Sequence, residues 1–210
     1  MRRLGWLSLY AVAMGLLEAV VVVYLRELYY PDGFDFPIVI IPDPLALTEL
    51  LRELTTLLMI LAVAMLAGND RTDRFFVFAL VFGVWDIVYY LGLWLFLDWP
   101  DSLLTWDVLF LIPVPWLAPV IYPLIIAVLL IVGYIVHDTR RVRGRPLRLT
   151  VAEWAVASTG AAVVVVAFCW NWRVIAAQTA PAGFPVWIFL IGTLVGLAPF
   201  ARATLKDWRN

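Results

Sequence analysis

Long apolar runs alternate with short polar breaks along this chain, and the length of the runs decides the fold class. Six stretches, at residues 5–25, 47–68, 75–97, 117–136, 151–170 and 186–204, can each cross about 30 Å of hydrocarbon at about 1.5 Å per helical residue. The pattern predicts an all-α polytopic membrane bundle of six transmembrane helices, forming a single integral-membrane domain over residues 1–210. The chain opens Met1-Arg2-Arg3 and passes Ala11-Val12-Ala13, as a signal peptide would. Its first apolar run continues to Leu25, however, so an uncleaved first helix is expected.

The polar breaks set the orientation. Arg2, Arg3, Arg71, Arg74, Arg140, Arg141, Arg143, Arg145, Arg148, Arg202, Lys206 and Arg209 fall on one side of a six-span chain, and only Arg26, Arg52 and Arg173 on the other. This asymmetry predicts an inner (cytoplasmic) membrane protein with both termini inside. On the outer side, Asp43-Pro44 is expected to open helix 2 as N-cap and first-turn proline. The stretch DWPDSLLTWDVLFLIPVPWLAP, Asp98–Pro119, differs from the other connections. Residues 103–112 are apolar and helix-like but too short to span, and Pro113, Pro115 and Pro119 then interrupt them. A proline-broken, half-inserted outer segment near 102–119 is expected, buried in protein or lining a wet cavity. A single helix 4 kinked at those prolines is the alternative.

Composition agrees and removes several function classes. The chain is 64% hydrophobic and 15% charged, with mean hydropathy +0.94, where a soluble domain is about half apolar and a quarter charged. A net charge of −1 offers no basic surface to nucleic acid. A lone Cys169 and a lone His137 exclude an internal disulfide, a thiolate-only metal site and a His-rich metal cluster. His137 reads as a helix-end residue and Cys169 as a packed thiol. Neither a P-loop, a dinucleotide fingerprint, a nucleophile elbow nor an HExxH pattern occurs, so nothing points to nucleotide, haem or zinc.

Against this background the acidic residues inside the apolar runs stand out. Each costs a few kcal/mol or more in hydrocarbon, so such residues face a protein interior and mark function. Topology brings Glu18, Glu53 and Asp86 to the outer half of the membrane, with Glu49 nearer the interface and Asp107 in the connection above. Glu49 and Glu53 share a helix face that Arg52 can reach, and Asp86 shares one with Tyr89 and Tyr90. Glu49 and Arg52 read as an interfacial ion pair, and Glu53 can pair with Arg52 or Arg26. Glu18 and Asp86 have no basic residue within a turn. A buried carboxylic acid left without a partner stays protonated, which suits a proton donor or carrier.

The candidate ligand-binding residues are Glu18, Glu53, Asp86, Arg52, Glu49, Asp107, Tyr89, Tyr90 and Trp116; no catalytic residue is assigned. The oxygen donors of Glu18, Glu53 and Asp86 also admit a divalent cation. The expected function is an outward-facing intramembrane pocket of carboxylates, arginine and aromatics that binds a cation or a small polar or amphipathic ligand. The alternatives are an accessory subunit of a larger membrane complex, and a lipid- or isoprenoid-modifying enzyme using carboxylate acid/base chemistry. The bilayer is the constant partner. Gly192/Gly196 and Ala157/Ala161 offer small-residue faces for helix packing, for a homo-oligomer or for a membrane-complex partner.

The runs LEAVVVVYLRELYYP, VWDIVYYLGLWLF and DWPDSLLTWDVLFLIPVPW resemble an uncharacterised family of bacterial multipass inner-membrane proteins. The resemblance covers helices 1 to 4. It implies an inner-membrane location and neither an activity nor a site residue. The lycopene-cyclase type of membrane protein also places acids among aromatic helices, but its motifs are not found here.

Overall fold

A computed structural model describes residues 2–39 and 42–206. Six of its helices are long and apolar enough to cross a membrane. In chain order the elements are α1 (Arg2–Tyr29), α2 (Asp43–Ala67), α3 (Arg71–Leu97), strands β1 (Trp106–Phe110) and β2 (Trp116–Pro119), α4 (Ile121–Val142), α5 (Val151–Cys169), the short α6 (Arg173–Ala176) and α7 (Val186–Lys206). The described chain is thus mostly helical. Of the basic residues read for orientation, Arg209 lies outside the described residues.

Local chemistry marks the boundaries. The side chain of Asp70 accepts the Asp73 N–H at 2.9 Å and caps α3, satisfying one of the orphan donors of a first turn. Thr150 and Glu153 cap α5 reciprocally. Helix α2 begins one residue earlier than expected, with Pro42 at the N-cap position.

Two helical groups build the bundle. In the first, α3 is central and lies against α1, α2 and α4. Its Phe76, Val77, Leu80, Val81 and Trp85 meet Leu7, Ala11 and Met14 of α1, Ile60 and Ala64 of α2, and Tyr134 of α4. In the second, α5 packs along α7. A Cβ on Gly160 would fall 2.2 Å from the Gly196 nitrogen and 2.7 Å from the Gly192 oxygen, so the two backbones nearly touch. The small-residue faces read from the sequence therefore meet each other inside the chain.

The groups join at their two ends. At one end, β2 touches both α4 and α5. At the other, Phe75 and Phe76 of α3 meet Trp154 of α5 and Phe200 of α7, with ring centroids 4.9–6.0 Å apart. Between them lies an apolar cavity of about 510 Å³.

Residues 102–119 correct the sequence reading: they form an antiparallel hairpin, neither a helical half-span nor an extension of α4. The fold is therefore not purely helical. Trp106 pairs with Pro119, Asp107 with Ala118, Val108 with Leu117 and Phe110 with Trp116, with an irregularity between Val108 and Phe110. The reason is legible afterwards. In Trp106–Phe110 large apolar and β-branched residues outnumber helix formers, and the prolines that end any helix serve well in the turn between two short strands.

A second polar knot lies at the end of the bundle opposite the hairpin. Asp73 is fully buried. It accepts both Arg3 guanidinium nitrogens at 3.2 and 3.0 Å, and the Asn69 backbone and amide N–H groups at 2.8 Å each. His137 approaches it at 3.4 Å and stacks on Phe76 at 4.4 Å. The histidine is thus part of a buried fastening of α1, α3 and α4 rather than a bare helix-end residue.

Candidate ligand-binding site

The hairpin end of α1, α2 and α3 encloses a cavity of about 310 Å³ that gathers eight of the nine residues singled out by sequence. Glu18 comes from α1, Glu49, Arg52 and Glu53 from α2, Asp86, Tyr89 and Tyr90 from α3, and Asp107 from β1. Trp116 is the exception: it stands in the wall of the larger apolar cavity, between Phe110 and Phe168. The hairpin sets it on the wall that it shares with Asp86 alone among the acids, an outcome that follows from the strand geometry the sequence reading did not foresee.

Arg52 links two of the acids. Its Nε donates to Glu49 at 2.8 Å, and its Nη1 contacts Glu18. Thr56, one helical turn beyond Arg52, donates its hydroxyl to Glu18 at 3.2 Å. Glu18 is therefore partnered across the helix interface, which sequence spacing along α1 alone had hidden. Glu53 pairs with neither arginine by direct contact. It accepts the Leu111 N–H at 2.9 and 3.1 Å on its two oxygens and so anchors the hairpin to α2.

Asp107 has only 1% of its surface exposed. It accepts Arg26 Nη2 at 3.0 Å and the Tyr90 hydroxyl at 3.1 Å. Burial pushes the Asp107 carboxyl above its ordinary range, while Arg26 and Tyr90 pull it back down. The Arg26 guanidinium in turn lies 3.6 Å from the Trp99 ring and 4.3 Å from the Phe34 ring. Arg26, Trp99 and Phe34 are site residues that the candidate set omitted. The signal was available: a buried acid in the connection between α3 and α4 needs a cation at its own end of the bundle, and Arg26 is the basic residue ending α1.

Asp86 remains. It is 8% exposed, and its Oδ2 has no hydrogen-bond partner. It borders the polar cavity on one side and the apolar cavity on the other. Around the polar cavity five carboxyl groups face two guanidinium groups. In a low dielectric the surplus is met by protons or by a bound cation. Among the described residues no three His, Cys, Asp or Glu side chains are grouped to hold a metal ion, because Glu18 and Glu53 are turned to separate partners.

Comparison of the chain with protein-family models, with curated proteins and with solved structures finds no match.

Proposed function

We propose that the protein is a ligand-binding inner-membrane protein with both termini cytoplasmic, whose pocket opens toward the outer face and takes a small organic cation with apolar bulk. The twelve-to-three distribution of basic residues supports the orientation. The observation that carries the function is Asp86. In a cavity where the other acids already have partners, it keeps a buried carboxylate oxygen that nothing in the protein satisfies. Such groups are rare in folded interiors and call for a partner from outside. The walls from Val22, Leu25, Tyr29, Phe34, Trp85 and Tyr89 supply apolar surface, as in most small-molecule sites.

The test is thermal unfolding of the protein in lipid nanodiscs, with butylamine as the cationic probe and butyrate as its anionic counterpart. Butylamine raises the unfolding temperature of the wild type and of Asp86→Glu, but not of Asp86→Asn, and butyrate raises none. Equal responses of wild type and Asp86→Asn would sink the reading. Stability only in the company of other chains, with no amine response, would return the protein to the accessory-subunit reading.

A further inference from the structure

The two cavities share a border. Asp86, Leu109 and Phe110 line both the polar cavity and the apolar one. Beyond that border the larger cavity is walled by Phe75, Phe78, Phe82, Leu130, Val164 and Val165, among other apolar residues of α3, α4, α5 and α7. Its walls run along α3 from Asp86 to Phe75, eleven residues apart, or roughly 16 Å at helical rise. Its volume of about 510 Å³ lies within the range of about 300–1,000 Å³ usual for small-molecule sites. Three unsatisfied polar atoms line this cavity: Asp86 Oδ2, the Trp116 indole N–H and the Thr193 hydroxyl. Of these only the Asp86 oxygen is a charged acceptor, and it alone also borders the polar cavity.

We infer that the two cavities are the head and tail chambers of one site for a single-chain cationic amphiphile. Its cationic head lies against Asp86 on the polar-cavity side, and its hydrocarbon chain runs past Leu109 and Phe110 to lie between the two helical groups. The inference rests on the pocket reading above and extends it to a ligand class. An acyl or isoprenyl chain satisfies the chamber equally, since both are apolar and slender. A head alone would leave the apolar cavity without occupant. A chain alone would leave the Asp86 acceptor unmet, at the cost any buried unpaired group carries.

The experiment compares butylamine, octylamine and dodecylamine on the nanodisc-embedded protein. Responses are taken as the ratio between wild type and variants with the apolar chamber plugged, which cancels partitioning into the bilayer. Lipid tails are as apolar as the cavity, so chain length improves binding only through packing in the chamber. The expected gain from butylamine to dodecylamine is about tenfold in apparent Kd, the scale of a modest packing term. Two such variants, Val165→Phe and Ser158→Phe, each place a ring in the apolar chamber from α5. Both should keep the butylamine response, which shows them folded, and lose the gain with chain length. A wild type that responds to butylamine but shows no gain overturns the inference and leaves the pocket reading standing, as does a gain that survives in both plugged variants. A wild type that responds to no amine overturns the pocket reading and the inference together.

Discussion

Removing the carboxylate of Asp107 isolates the most enclosed charge pair near the site. In Asp107→Leu, Arg26 keeps its charge at a position where its side chain is 8% exposed, held between Trp99 and Phe34. The Tyr90 hydroxyl loses its acceptor as well. Breaking a buried pair by deleting one partner costs about 3–5 kcal/mol, and a stranded buried hydroxyl adds about 1–3 kcal/mol. Arg26→Met strands the acid instead and is expected at about 3–5 kcal/mol, together with about 1–2 kcal/mol of lost cation–ring attraction. The double variant Arg26→Met/Asp107→Leu removes both charges. It should recover most of the loss, because a buried pair and a well-packed apolar replacement are often close in free energy. The assay is equilibrium unfolding in mild detergent by rising dodecyl sulfate, followed by tryptophan fluorescence. Additive losses, with the double variant about as unstable as the sum of the singles, would show that Arg26 and Asp107 do not act on one another and would refute the account of this end of the bundle.

Three further outcomes are expected. Gly160→Ala should destabilise by about 1–3 kcal/mol, because its Cβ would fall 2.2 Å from backbone that cannot yield, whereas Gly5→Ala, with nothing within 4 Å, should be close to neutral in the same unfolding assay. Asp73→Ala should cost about 1–3 kcal/mol, by leaving the Asn69 donors unmet beside a part-exposed Arg3, and Asp73→Asn should recover part of this by keeping the hydrogen bonds that do not need the charge. Glu53→Ala should speed hydrogen exchange at the Leu111 amide about tenfold or more while leaving the α3 interior protected, since Glu53 is the acceptor that holds this N–H.

Much of the architecture was legible because the apolar runs are long and their period is not needed to recognise them. The six spans follow from length alone. The site was legible for a related reason: acids in hydrocarbon must converge, so reading which helix ends share a level placed eight of nine candidates in one cavity. What stayed hidden depends on contacts across helices. Glu18 was read as lacking a partner because Arg52 and Thr56 reach it from α2. Trp116 stands apart from the other eight because residues 103–112 were read as helix-like and the prolines after them as a break, whereas the chain pairs two strands there, and a strand sends alternate side chains to opposite faces. The Asp73–His137 knot was overlooked because polar residues at helix ends look solvated in sequence, whereas here three ends close over one another.

The bridge from Arg52 to Glu18 and Glu49 also bears on selectivity. Arg52 is in effect a competitor that the protein carries with it. Tethered on the same helix as Glu49 and facing Glu18, its guanidinium is present at an effective concentration on the order of millimolar or above, whatever the concentration of ions outside. A freely diffusing cation that had to evict it would therefore bind poorly at ordinary concentrations, however suitable its charge. The ligands favoured are those that bypass the occupied acids and reach Asp86 directly. Replacing Arg52 with an uncharged residue should then broaden the range of cations the pocket accepts, at the expense of its discrimination among them.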